Sequence, residues 1–145
     1  MAPDKVKIVP ENITMFHLDI ARFEIKEVAP PNTEDFNLNL SHKVMHNLKD
    51  ERVKIALSIL LNDETGNEAV LDIDFHFHIK ELSSFYNLDD KGTPVFSGLL
   101  IITLLGIGFS TARGILYERF ANTIFNRVLL PIISPQKMLE KKDSL

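Results

Sequence analysis

The chain has no cysteine among its 145 residues. That excludes disulfides, thiolate metal sites and a cysteine nucleophile. It has no excess of positive charge either: 16 Lys and Arg stand against 20 Asp and Glu, a formal net charge of -4. Nucleic acid is therefore not an expected partner, because proteins that bind it usually present a basic patch. No secretory leader is visible, since residues 1–10 carry Asp4, Lys5 and Lys7 and no apolar core follows. The chain is accordingly expected to be cytoplasmic. The longest apolar run, residues 95–109, falls short of the roughly 20 needed to cross a bilayer. It is also interrupted by Gly98, Gly106 and Gly108, so membrane insertion is not expected. Gly106 and Gly108 lack the third glycine and the preceding strand of a dinucleotide site. Ser110 lacks the strand–turn–helix setting of a nucleophile elbow. No repeat or low-complexity segment is present, and no catalytic constellation and no cofactor are expected.

What is present is a sequence of periodic segments. A hydrophobic fraction of 45% with 25% charged residues fits one folded domain over residues 1–145, large enough for a real core. Residues 1–12 read as a loose lead-in and 141–145 as a frayed tail. Four stretches alternate apolar and polar residues with the two-residue period of a strand. The first, residues 16–28, places Phe16, Leu18 and Ile20 on one parity and Phe23 and Ile25 on the other. The switch near Ala21 and Arg22 predicts a β-bulge. The second contains Phe36, Leu38, Leu40, His42 and Val44, and the third Val53, Ile55, Leu57, Ile59 and Leu61. Residues 62–67 form a hairpin loop with Gly66 or Asn67 in the left-handed conformation. The fourth, residues 69–82, sets Ile73, Phe75, Phe77 and Ile79 against Asp72, Asp74, His76 and His78. Strands two to four read as an antiparallel meander. The predicted burial follows the parity, with Asp72, Asp74 and His76 exposed.

A helix is expected from residue 95 or 97 to 121, followed by an extended apolar stretch at 129–133. Ser134 and Pro135 then open a short final helix. The fold class is thus α+β: a four-stranded antiparallel sheet, one long helix and a short C-terminal helix. The first half of the long helix has almost no polar face, and one small sheet covers only one side of a helix. Self-association is the expected remedy, with Leu99, Ile102, Gly106, Phe109 and Arg113 at the interface. The helical glycines fit close helix–helix approach, or alternatively a local kink. Arg113 follows the apolar half and reads as an interface ion-pair partner or as an arginine whose stem lies along the core edge.

His76 and His78 share a strand face with Asp72 and Asp74, the one arrangement with metal-ligand character. A solvated polar face accounts for it more simply, and no metal site is assigned. The same carboxylates are the candidates for an acidic docking surface.

Ser110-Thr111-Ala112-Arg113-Gly114, with Leu129-Leu130-Pro131-Ile132-Ile133-Ser134-Pro135 after it, resembles the SecB family of export chaperones. The element order over residues 16–140 resembles that family too. The resemblance implies a homotetramer, a dimer of dimers built partly on the long helix. It would hold unfolded or precursor polypeptides for export, without catalysis or cofactor. It implies SecA as a candidate partner, docked on an acidic sheet face, here Asp72 and Asp74. His76, His78 and Lys80 dilute that charge, and the tail departs from the family pattern. A SecB-like chaperone serving a toxin–antitoxin system, and an oligomeric scaffold for a folded partner, are the alternatives. A hotdog-fold thioesterase fits less well, because its central helix lies between strands. Client binding needs apolar surface left exposed after assembly, and the candidates are Phe85, Tyr86, Leu129, Leu130, Ile132 and Ile133.

Overall fold

A computed structural model describes residues 7–28, 30, 36–126 and 128–141. The alternating segments form four long strands, β1 (Ile13–Lys26), β2 (Asn37–Asn47), β3 (Arg52–Asn62) and β4 (Glu68–Ile79). They make one antiparallel sheet in the order β1-β4-β3-β2. The meander of β2, β3 and β4 is as the pattern implies, and β1 closes on the free side of β4. Along β4 every second residue, Ile73, Phe75, Phe77 and Ile79, is 0% exposed.

The polar parity of β4 differs from expectation. Asp72, Asp74 and His76 are half-buried rather than exposed. β4 lies between β1 and β3, so side chains of both neighbours shade its outer face.

β1 departs from regular pairing twice, between Met15 and His17 and between Ile20 and Arg22. The second bulge is the one the parity switch predicts. The first has a consequence for Phe16. It takes Phe16 out of register with Leu18 and Ile20 and puts its ring beside His76 on the outer face, 45% exposed.

The β3–β4 hairpin turns through Gly66 at φ +94°, the left-handed region where glycine carries no steric penalty. Asn67 has a different task. Its Nδ2 donates to Asp63 Oδ2 at 2.8 Å, and its Oδ1 accepts from the Val28 N–H at 2.7 Å. The hairpin is thereby tied to the end of β1. Burial raises the proton affinity of the buried Asp63 carboxyl. Hydrogen bonds from Thr65 and Asn67 outweigh it and hold the carboxyl below its usual range.

The lead-in is not loose throughout. Residues Pro10–Asn12 form a 3-10 turn, and the Asn12 carbonyl accepts from the Lys80 N–H at 2.8 Å. After a second such turn, Leu82–Phe85, a small hairpin of β5 (Tyr86–Leu88) and β6 (Pro94–Phe96) leads into the long helix. The sequence pattern assigns this stretch to a plain connection, because three-residue strands carry no period.

Helix α1 (Gly98–Arg119) lies on the inner face of the sheet and α2 (Pro135–Lys141) ends the described chain. Residues 142–145, most of the expected tail, lie outside the described residues. Leu100, Leu104, Leu105, Phe109, Ala112 and Leu116 of α1 enter the core over β3 and β4. A Cβ on Gly108 would stand 3.1 Å from the Phe75 ring, and one on Gly106 would stand 3.3 Å from Pro135 Cγ. Both glycines therefore serve close approach within the chain, Gly108 to the sheet and Gly106 to α2.

Candidate functional site

Four aromatic rings decide where the chain goes after α1. Phe120 and Phe125 are buried with centroids 5.2 Å apart, and Phe23 of β1 and Phe36 join them at 6.5 and 5.3 Å. The turn between Phe120 and Phe125 is closed by Thr123, whose Oγ1 donates to the Phe120 carbonyl and accepts from the Phe125 N–H. Sequence reasoning missed this cluster, since isolated phenylalanines outside a periodic segment give no sign of a common destination.

Residues 128–134 lead without regular structure into α2. Leu130 is pinned at 3% exposure, and its carbonyl accepts from Arg113 Nε at 2.8 Å. Met138 of α2, 2% exposed, pins the far end. Between and beside these anchors Leu129 is 59% and Ile132 88% exposed, and Ile133 is half-buried. Pro131 has no N–H to offer a strand or helix. The result is an apolar ridge held in place from below, with the Leu129 and Ile132 side chains in solvent.

Two of the expected client-binding residues are core residues. Leu130 is an anchor inside the core, because an apolar run crossing the surface of a core must turn some side chains inward. Phe85, 5% exposed, is likewise a core residue. Tyr86 is half-buried with its ring edge-on to Phe96 at 5.8 Å. The neighbouring β5–β6 hairpin instead exposes Leu88 at 58% and Val95 at 50%.

The outward face of α1 carries Leu99, Ile102, Thr103, Ile107, Ser110, Gly114 and Tyr117, which recur at helical spacing. These positions share one side of a helix. Leu99, Ile107 and Tyr117 are large apolar residues left exposed. Thr103 Oγ1 donates to the Leu99 carbonyl, and Thr111 Oγ1 to the Ile107 carbonyl. Those bonds occupy the hydroxyl protons and make the helix less polar than its letters suggest. By length and composition α1 is apolar enough to cross a membrane, and 44% of its most apolar window is buried in the chain.

Of the expected interface residues, Leu99 and Ile102 lie on this outward face. Phe109 is 3% exposed and packs inward. Gly106 lies against Pro135 of α2, and Arg113 donates its Nε to the Leu130 carbonyl.

On the opposite face of the sheet, Asp72 and Asp74 are already engaged. Asp72 accepts from Ser58 Oγ at 2.6 Å, and Asp74 stands 3.4 Å from Lys54 Nζ. His76 and His78 do not converge on a common point with them. The His76 ring lies tilted at 45° and 5.2 Å from the His17 ring, and His78 lies 3.9 Å from Glu51. Among the described residues no group of three or more His, Cys, Asp or Glu is placed to hold a metal ion.

The architecture can be set beside known structures. A SecB-like chaperone from Mycobacterium tuberculosis, solved in complex with a ChAD peptide from the HigA1 antitoxin, superposes with a TM-score of 0.62. The match covers 86% of this chain and 91% of that one, at 13% sequence identity. This chain has the SecB-like fold. At that identity the likeness is one of fold. No family model and no curated protein matches the sequence. In chain order the ridge of Leu129 and Ile132 follows α1 and precedes α2.

Proposed function

We propose that this SecB-like chain is a holding chaperone, an oligomer that binds unfolded polypeptide on apolar surface and performs no chemistry. The observation that carries the reading is the ridge at residues 129–133. Leu129 and Ile132 point into solvent while Leu130 and Arg113 fix the backbone beneath them. Unfolded chains have little in common beyond backbone and apolar side chains, so a pre-ordered apolar ridge suits clients of varied sequence. The exposed Leu88 and Val95 on the β5–β6 hairpin extend the available apolar surface.

The outward face of α1 supports self-association, and the SecB-like fold makes a homotetramer the assembly we propose. Its exposed Leu99, Ile107 and Tyr117 lie along one stripe, together with half-buried Ile102. Facing copies of such a stripe would bury the apolar side chains that one chain leaves in water.

Two client classes are open to a chaperone of this fold, exported precursors and antitoxins. The second has a specific observation in its favour, because the Mycobacterium tuberculosis neighbour is in complex with an antitoxin peptide. SecA is left out of the reading. The carboxylates that would dock it are half-buried and already bonded to Ser58 and Lys54. The deciding experiment is light scattering of an unfolded client with and without the protein. Suppression at near-stoichiometric oligomer supports the reading, and unchanged aggregation beside an intact oligomer turns it toward a scaffold for folded partners.

A further inference from the structure

The outer face of the sheet carries a feature that client holding does not use. Where β1 begins, Phe16, Met45, Arg52, Lys54 and His76 are among the residues around a cavity of about 220 Å³. The first bulge of β1 is what brings Phe16 there. Arg52 lays its guanidinium over the Phe16 ring at 4.9 Å, and the His76 ring flanks Phe16 at 5.9 Å. Met45, 38% exposed, adds an apolar wall. Among the described residues no carboxylate lines the cavity. Lys54 is shared with Asp74 at 3.4 Å, whereas Arg52 has no carboxylate partner among the described residues.

An arginine stacked on an aromatic ring keeps its planar fork of N–H donors directed outward, in the geometry that takes a carboxylate through two hydrogen bonds. His76 reports the local field. Burial lowers its proton affinity, and Lys54 of β3 and His17 of β1 lower it further, against the opposing pull of Asp74 on β4 and Asp19 on β1.

We propose that this cavity docks an acidic segment of a partner polypeptide, seating an apolar side chain against Phe16 and Met45 and a neighbouring carboxylate on Arg52. Each half of the site argues against a simpler occupant. A small free anion would leave the apolar wall unfilled. A purely apolar segment would leave the Arg52 guanidinium without a counter-charge. The sign is opposite to that of an acidic docking face. The cavity lies across the sheet from α1, the helix to which assembly is assigned above. It stands apart from the chaperone reading and can fail without it.

The test is a fluorescence-anisotropy titration of the full chain with two labelled decapeptides. One interleaves Glu with Leu and Phe, and the other has Lys at each Glu position. The acidic peptide is expected to bind about tenfold or more tightly than the lysine peptide, and Arg52→Glu is expected to reverse that preference. Phe16→Ser should weaken the acidic peptide several-fold without reversing the preference. Arg52→Gln keeps the stem over Phe16 and should weaken it in the same direction. Aggregation suppression should be unchanged in all three variants. Equal affinity for the two peptides, or undiminished binding to Arg52→Glu, overturns the proposal. Displacement by acetate at the peptide's own concentration would reduce the site to a carboxylate pocket and overturn it too. Loss of native mass in Arg52→Glu would assign the cavity to a second copy of the chain, which likewise overturns it.

Discussion

Arg113 of α1 donates its Nε to the carbonyl of Leu130 at 2.8 Å, across 17 residues of sequence. That bond joins the middle of the long helix to the stretch before α2. It satisfies a carbonyl that belongs to no helix or strand, at a residue buried to 3% exposure. Arg113→Met keeps the stem and removes the donor. It should cost about 1–2 kcal/mol, measured as a lower urea midpoint, and should speed proteolytic cutting within residues 128–134.

The ridge should divide its residues into two classes. Ile132→Asp places charge in solvent and should leave the melting curve within about 0.5 kcal/mol of the parent, while client affinity falls several-fold. Leu130→Asp buries a charge in the core. Its cost should exceed the roughly 2–5 kcal/mol of a core Leu→Ala truncation, seen as loss of the cooperative unfolding transition. If both variants fold equally well, the assignment of Leu130 as an anchor is wrong.

The proposed homotetramer predicts a native mass near four times 16.5 kDa. Ile107→Glu, on the exposed face, should lower that mass while circular dichroism keeps the signature of the parent. Phe109→Ala, by contrast, should destabilise the chain by about 3–5 kcal/mol, because Phe109 is a core residue. A parent that sediments as a monomer at micromolar concentration excludes the tetramer.

The difference between expected and observed sites has a physical origin. Period-two alternation fixed which residues of β3 and β4 face the core, because a one-residue slip would bury Asp72 and Asp74. The bulge near Ala21 was legible because apolar residues on both sides of it change parity. The bulge at Phe16 was not, since an exposed phenylalanine and a core one share a letter. In the run from Leu129 to Ile133 every residue but the proline is aliphatic, so the sequence could not tell Leu130 from Ile132. The partner of Arg113 is a backbone carbonyl, which no side-chain pattern reveals. Apolar all round in its first half, α1 gave no sign of which side meets the sheet, so Phe109 turned inward and Gly106 met α2 once the sheet set the helix rotation.

Asp63 gives the fold an acid limit. Hydrogen bonds from Thr65 and Asn67 hold its folded proton affinity below the ordinary value. A depressed carboxyl contributes stability that is present above its unfolded pKa of about 3.9 and is lost as pH falls through the folded value. Between those two values the unfolded state binds more protons, so stability should fall with pH there. Asp63→Asn should be less stable than the parent at pH 7 and should show a shallower decline below about pH 4, measured by urea unfolding across pH 2–7.

The most direct test of the account is the rate at which a reduced, unfolded client scatters light, measured with the parent protein and with Ile132→Asp at matched oligomer concentration. The account predicts that the parent suppresses scattering at near-stoichiometric ratio, at low and at high salt, and that Ile132→Asp suppresses it several-fold less while keeping the parent's mass. Scattering as fast with the intact parent oligomer as without it would contradict the account.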